Sequence, residues 1–394
     1  MSNKKLRIGI IGAGMAGQAH AFGFRNAMMV RGSEPVDLEL VCIADPNLEL
    51  AESVARRFGF QQATADVDAL INSDVDIISV ALPNFLHAQV LPKVLASGKH
   101  LFAEKPIGRT PQEAADLARL AQASEAVTGV GFSFRRLPGL AAVAAAVSEG
   151  LIGTVHTVRA WYNADYAANP DGALTWRYSQ EESGGGALLD IGAHALDAVE
   201  FVAGRIQAVH NATLNTVIKQ RPLAAAGAVG HGGAVTGQLG EVTNDDVALL
   251  TLGLENGAVG QVQLSRIAHG VPNSLGVELF GDAGSITFDS IRGGEFQIFA
   301  ASSDGVYNGP RTVYTGPSHP YFNDVAAMPG AGVGTGYAEA FVAEIQEFVR
   351  CVRDGQPMST DFSTAERMMN VVGAAYESHQ RKEPATVKGL VAHS

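Results

Sequence analysis

Three residues have types that could move a proton and steady a developing charge: Lys105, Asp190 and His194. Lys105 stands in Glu104–Lys105–Pro106, directly after the apolar run His100–Ala103. If that run is a strand of a parallel sheet, its end opens into the crevice where ligands bind, and Pro106 pushes Lys105 into an extended conformation. A single lysine there is, by itself, equally compatible with an ordinary surface position. Asp190 and His194 lie four apart in SGGGALLDIGAHALDAVEFVAG, residues 183–204, so on one helix they share a face. A carboxylate in the first turn of that helix gains from the helix dipole and stays ionised. Such a histidine more often serves a core or a surface, but the pairing behind three glycines favours chemistry. Asp190, His194 and Asp197 make no recognised ligand set, so no metal is expected.

A second pattern could hold the reaction's electron carrier. GAGMAG, residues 12–17, fits G-x-G-x-x-G behind an apolar strand and ahead of a helix. Gly12 would make the tight turn, Gly14 would admit a pyrophosphate, and Gly17 would let helix and strand pack closely. The helix start, with Met15 and Ala16, would supply amides and positive dipole to the phosphates. Asp45 ends the second apolar run, where its carboxylate could accept from the adenosine ribose hydroxyls and repel a 2′-phosphate. NAD is therefore expected over NADP. Asp45 lies further from the glycines than the usual spacing of about 20 residues, and a longer helix end plus loop over Asn26–Asp37 would absorb the excess. A glycine turn of this kind also occurs in α/β folds that bind nothing.

These candidates need a frame. The first third alternates apolar runs with helical patterns: strands at Leu6–Ile11, Leu38–Ala44, Asp76–Leu82, His100–Ala103 and Val127–Gly131. Helices are expected at Met15–Met29, Leu48–Phe58, Leu86–Ala96 and from Pro111 to about Ala123, the last opened by the capping box Thr110–Glu113. Such alternation implies a parallel sheet wrapped on both faces. After a helix at Leu140–Ser148 the chain becomes strand-rich: Val155–Trp161, Gln207–Val217, Asp246–Leu254, Ala258–Ile267, Ser274–Phe280, Ser285–Phe288 and Phe296–Ala300. An antiparallel sheet follows from that pattern. Helices at Tyr337–Arg353 and Ala365–His379 come last, the second with a capping box Ser363–Glu366. Ala224–Asn244 and Ser302–Gly336 read as long irregular loops. The expected class is α/β, divided into residues 1–132 and 133–394, with the last helices able to pack back on the first domain.

At 394 residues the chain is long enough for two cores. Its net charge of −12 argues against nucleic acid and anionic membrane surfaces. No signal peptide or membrane span is evident, and Cys42 and Cys351 both lie in apolar segments, so a cytoplasmic protein with reduced thiols is expected.

GAGMAG, VALPNFLH (80–87), AEKP (103–106) and GGGALLDIGAHALD (184–197) together resemble the Gfo/Idh/MocA oxidoreductase family along nearly the whole chain. The resemblance implies a Rossmann domain followed by an α+β domain built on an open, mainly antiparallel sheet, and assembly into a homodimer or homotetramer. It also implies catalytic roles for Lys105, Asp190 and His194. The chemistry then expected has His194 as general base, Lys105 on the hydroxyl oxygen, and Asp190 either orienting this pair or bonding a neighbouring hydroxyl. Pro83, Asn84, His87 and Glu104 would join the cofactor side. Arg135, Asn163, Asp165, Trp176, Arg177, His319 and Tyr321 are candidates to bind a polyhydroxy substrate. TVIKQRPL (216–223) and RTVYTGPSHPY (311–321) look most like the levoglucosan and glycoside 3-dehydrogenase branch. That implies oxidation of a secondary ring hydroxyl at C3. An inositol 2-dehydrogenase, or a regulator that binds the dinucleotide without catalysis, are the other readings.

Overall fold

A computed structural model of the chain describes residues 5–27, 36–225, 234–301, 308–326 and 328–389. Contacts divide it into two compact units: residues 1–136 with 323–327 and 337–366, and residues 137–322 with 328–336 and 367–394.

The first unit holds a sheet of β1 (Leu6–Ile11), β2 (Leu38–Ala44), β3 (Gln62–Thr64), β4 (Ile77–Val80), β5 (His100–Ala103) and β6 (Thr128–Val130). All pairs are parallel, in the order β3-β2-β1-β4-β5-β6. Strand order reverses between β1 and β4, whose ends meet at Ile11 and Val80, and there the doubly wound fold leaves its ligand crevice. The connecting helices are α1 (Met15–Ala27), α2 (Leu48–Phe58), α3 (Val67–Ile71), α4 (Asn84–Ala96) and α5 (Pro111–Gln122). The strands are near-continuous apolar runs because both faces are covered. Ile8, Ile10, Phe24, Ile43 and Phe102 form one core with residues of a much later helix, Ile345, Phe348 and Val349. Gly23 of α1 admits that helix: a Cβ there would stand 2.8 Å from Ile345 and 3.0 Å from the Phe341 carbonyl.

The second unit starts with α6 (Pro138–Ser148) and β7 (Val155–Ala164), then three helical pieces, α7 (Gln180–Ser183), α8 (Ala187–Asp190) and α9 (Gly192–Ala203). Strands β8 (Ile206–Asn215), β9 (Gln220–Ala224), β10 (Val235–Glu241), β11 (Val247–Leu254), β12 (Val259–Ser265), β13 (Asn273–Gly281), β14 (Gly284–Asp289), β15 (Glu295–Ala300) and β16 (Arg311–Tyr314) follow. The chain continues through α10 (Phe322–Val325), α11 (Tyr337–Asp354), α12 (Phe362–Arg381) and β17 (Ala385–Thr386); α11, the late helix in the core above, belongs to the first unit. The large sheet runs β16-β15-β14-β13-β7-β12-β11-β8-β17, and β9 pairs β10 separately. Every pair of the large sheet is antiparallel except β7 with β12. Strand alternation turns Val158, Ala160 and Tyr162 into the core and Arg159, Trp161 and Asn163 to the other face. That other face carries a shallow depression of about 710 Å³ lined by Trp161, Asn163, Thr213, Leu249, Gln261 and others.

The chain departs from the sequence reading at identifiable places. β3 and α3 were not foreseen, because three residues carry no apolar run and a five-residue helix no period; Asp66 nonetheless caps α3, accepting from Ala69 N at 2.9 Å. The irregular stretch 224–244 contains β10, and 302–336 contains β16 and α10. Of the helix end and loop expected over Asn26–Asp37, residues 28–35, Met28 and Met29 among them, lie outside the described residues, as do 226–233, 302–307 and 327. The cap of α12 is Asp361, which accepts from Thr364 N at 2.9 Å, rather than Ser363, already inside the helix.

Candidate active site

The three glycines after β1 are required for three different reasons. Gly12 has φ of +101°, and a Cβ on it would lie 2.3 Å from the Ala81 carbonyl oxygen. A Cβ on Gly17 would lie 1.8 Å from the Gly12 carbonyl oxygen, so α1 can leave the strand this closely only without one. At Gly14 a Cβ would meet nothing within 4 Å: its bareness serves open space beyond the turn, where a pyrophosphate would approach. Met15 is 73% exposed at the same helix start. Asp45 at the end of β2 is tied to the turn, Oδ2 accepting from Ala13 N at 2.8 Å and Oδ1 from Asn47 N at 2.9 Å. Each oxygen keeps a second lone pair for a ribose hydroxyl. The residues fit a bound dinucleotide.

Pro83 and Asn84 open α4 beside this turn, across the strand-order reversal. His87, expected to line the cofactor side, is instead fully buried, and its Nδ1 donates to the Pro106 carbonyl at 2.8 Å. Burial holds its pKa below the ordinary value against that carbonyl's opposite influence, so the ring is neutral. It anchors the segment that carries Lys105, whose peptide bond to Pro106 is cis. Glu104 and Lys105 follow β5 and are half-buried. Arg135 lies in the 3₁₀ turn Ser133–Arg136 of this unit, next to the buried Arg136, which pairs with Glu347 at 2.8 Å.

In the second unit the helix foreseen as continuous is divided into α8 and α9. Ile191 joins them with helical angles (φ −92°, ψ −29°), so Asp190 and His194 keep their four-residue spacing across the joint. Asp190 Oδ2 accepts from the Tyr166 hydroxyl at 2.8 Å, and Arg177 Nη1 stands 3.9 Å away. Burial, then the Asp190 charge, pushes the Tyr166 hydroxyl well above its usual pKa, so it remains a donor. His194 is 7% exposed, its ring 6.2 Å from that of Tyr162. The Arg177 guanidinium lies 4.5 Å over the Trp176 ring, placing an aromatic face beside the carboxylate's cationic neighbour.

What locates Asp190 was missed in the sequence: the run Asn244–Asp245–Asp246, which looks like the polar end of a loop. Asp245 accepts from Gly186 N at 3.1 Å, Leu188 N at 2.7 Å and Tyr376 Oη at 3.0 Å, thereby holding the start of α8. Gly186 must be bare, since a Cβ would be 1.9 Å from the Asp245 carbonyl oxygen. Asn244 bonds the Arg177 carbonyl at 2.9 Å, and Asp246 pairs with buried Arg266 at 2.9 Å. Arg266 and Arg221 lie over the Tyr178 ring, 4.8 and 4.2 Å from its centroid, and Arg221 also donates to the carbonyls of Ala167 and Asn169. Three acidic or amide residues directly ahead of the alternating strand β11 were the available signal.

Asn163 is corrected: it follows Tyr162 in an extended strand, so it faces the open side of the sheet, away from His194. Asp165 begins the loop that delivers Tyr166, its carbonyl accepting from Ala168 N. His319 closes a turn, Nδ1 accepting from Gly316 N at 3.0 Å with Phe296 edge-on at 6.1 Å, and Tyr321 has φ of +59° in the same segment after edge strand β16. No cluster of three metal-ligating side chains occurs among the described residues.

Known proteins place the chain in a family. Residues 6–132 match the model of an oxidoreductase family with an NAD-binding Rossmann fold, and residues 140–287 match the GFO/IDH/MocA C-terminal domain. The chain is 35% identical over 378 residues to levoglucosan dehydrogenase of Pseudarthrobacter phenanthrenivorans, covering 95% of this chain and 96% of that protein. It is 31% identical over 208 residues to D-glucoside 3-dehydrogenase of Escherichia coli, 52% of this chain and 56% of the other. The structure of levoglucosan dehydrogenase in complex with NADH and levoglucosan superposes with a TM-score of 0.91 at 34% identity, covering 98% of this chain and all of that one.

Proposed function

The chain belongs to the Gfo/Idh/MocA oxidoreductase family, and from that premise we propose that it oxidises a secondary ring hydroxyl, at C3, of levoglucosan or a related glycoside. The observation that carries this reading is the cluster of Tyr166, Asp190 and Arg177 beside the Trp176 face. An acceptor fixed between donors, next to a flat ring, suits the alternating hydroxyls and apolar face of a pyranose.

His194 takes the proton of the reacting hydroxyl as general base, the side chain that most often does this work in enzymes. Lys105 donates to the same oxygen and stabilises the charge that gathers there. Asp190 accepts from a neighbouring hydroxyl: with Tyr166 donating to it and Arg177 near, it serves as a fixed acceptor, which leaves the proton to His194. Gly12 to Gly17 and Asp45 would hold NAD, which when bound would supply the hydride acceptor. Arg135, Asp165, His319 and Tyr321 belong to loops that set substrate fit in this reading. We propose further that the open sheet face around Trp161 and Leu249, with Leu249 48% exposed, meets a second copy of the chain in a homodimer or homotetramer, and that the enzyme is cytoplasmic.

The test is to incubate the purified protein with NAD or NADP and a panel of levoglucosan, glucosides, free hexoses and inositols, following reduced-nicotinamide absorbance. Turnover of levoglucosan or glucosides with NAD is expected. Turnover of inositols alone would overturn the substrate, and no turnover of any polyol would overturn the activity.

A further inference from the structure

His20 lies on α1, the helix that opens at the dinucleotide turn, and is fully buried. Both its ring nitrogens are engaged: Nδ1 is 2.8 Å from Ser79 Oγ on β4, and Nε2 is 3.0 Å from Glu104 Oε1. An ionised carboxylate only accepts, so Nε2 carries a hydrogen and donates to Glu104. The other oxygen, Glu104 Oε2, accepts from Lys105 N at 3.2 Å. Gly131 leaves room for this carboxylate, since a Cβ there would sit 3.1 Å from Oε1. Phe102 packs edge-on to the imidazole at 5.1 Å and fixes its plane. The Lys105 segment is thus gripped on both sides, at Glu104 by His20 and at Pro106 by His87.

We propose that His20 is a positioning residue for Lys105: through Glu104 it fixes the backbone from which the lysine reaches the substrate oxygen, and it references that backbone to the helix bearing the dinucleotide turn. The proposal rests on the role given to Lys105 above. Alignment of a charge-stabilising donor within about 1 Å is worth up to about a hundredfold in rate, so a loosened carboxylate should cost turnover more than binding.

Two conservative variants separate this from a merely structural role. Glutamine places its amide nitrogen near the position of Nε2 and can still donate to Glu104, whereas asparagine stands nearer Nδ1 and cannot reach it. His20→Asn is expected to lower kcat about 20-fold or more while the Kd for NADH and the KM for levoglucosan stay within about threefold; His20→Gln should restore most of kcat. Glu104→Gln should match His20→Asn, and the double variant should be no worse than the poorer single. Independently of turnover, deuterium uptake at the Lys105 amide should rise at least about tenfold in His20→Asn, with β1 amides unchanged. Equal kcat and equal amide exchange in the Asn and Gln variants would overturn the proposal, as would a loss of NADH affinity that accounts for the whole effect. If Lys105→Ala retains turnover, the role of the lysine fails, while the exchange experiment still reports on the His20–Glu104 grip.

Discussion

The Tyr166 hydroxyl donates to Asp190 Oδ2 across 2.8 Å, and burial keeps that hydroxyl protonated. The phenol can therefore act only as a donor to the carboxylate at any working pH. Removing it takes away a hydrogen bond to a charged group, worth about 1.5–3 kcal/mol. Tyr166→Phe is expected to lower kcat/KM for the sugar by about tenfold or more, with the NADH affinity unchanged. An unaltered kcat/KM would remove Tyr166 from the account.

The glycine turn gives opposite expectations for neighbouring positions. Gly14→Ala puts its methyl into open space, so the thermal midpoint should hold while NADH binding weakens by about tenfold or more. Gly17→Ala drives a Cβ against the Gly12 carbonyl and should lower stability by about 2 kcal/mol or more before binding is considered. Denaturation and NADH titration of both variants check the pair; equal stability loss in the two would contradict the reading.

Asp245 is the residue on which the second unit's site depends. Asp245→Ala strips the partners from Gly186 N and Leu188 N, both buried, and from the part-buried Tyr376 Oη. A cost of about 2–4 kcal/mol is expected from the orphaned groups, measurable by urea denaturation. Tyr376→Phe, which removes one of the three bonds, should cost about 1 kcal/mol.

His87 sets a pH dependence of stability. Burial lowers its folded pKa beneath the ordinary value, so below about pH 6.5 the unfolded ring binds a proton that the folded ring refuses. The unfolded state then holds more protons and stability falls with falling pH, until the folded pKa is reached; above about pH 7 the contribution is flat. His87→Gln should flatten the acid decline between about pH 6.5 and 5 by up to about 1.4 kcal/mol per unit. Parallel slopes in urea-denaturation series of the two proteins would contradict this.

Much of the frame was readable from the residues alone. Strands β1, β2 and β5 and helix α2 fall where continuous apolar runs and caps put them, because buried parallel strands and capped amphipathic helices leave local signatures. The glycine turn was readable for the same reason: each glycine answers a local backbone demand. Asn163 was misplaced because an alternation of two decides its face, and a candidate chosen by residue type ignores that. Tyr166, Arg266 and Asp245 were invisible because their partners lie 24, 20 and 57 to 131 residues away along the chain. Only long-range pairing assembles them.

The most direct test of the central claim uses levoglucosan deuterated at C3, oxidised by the protein with NAD. The account expects deuterium in the reduced cofactor, a 3-keto product, and loss of both in Lys105→Ala and His194→Ala variants that remain folded. Reduced cofactor carrying only protium, or undiminished turnover in either variant, would contradict it.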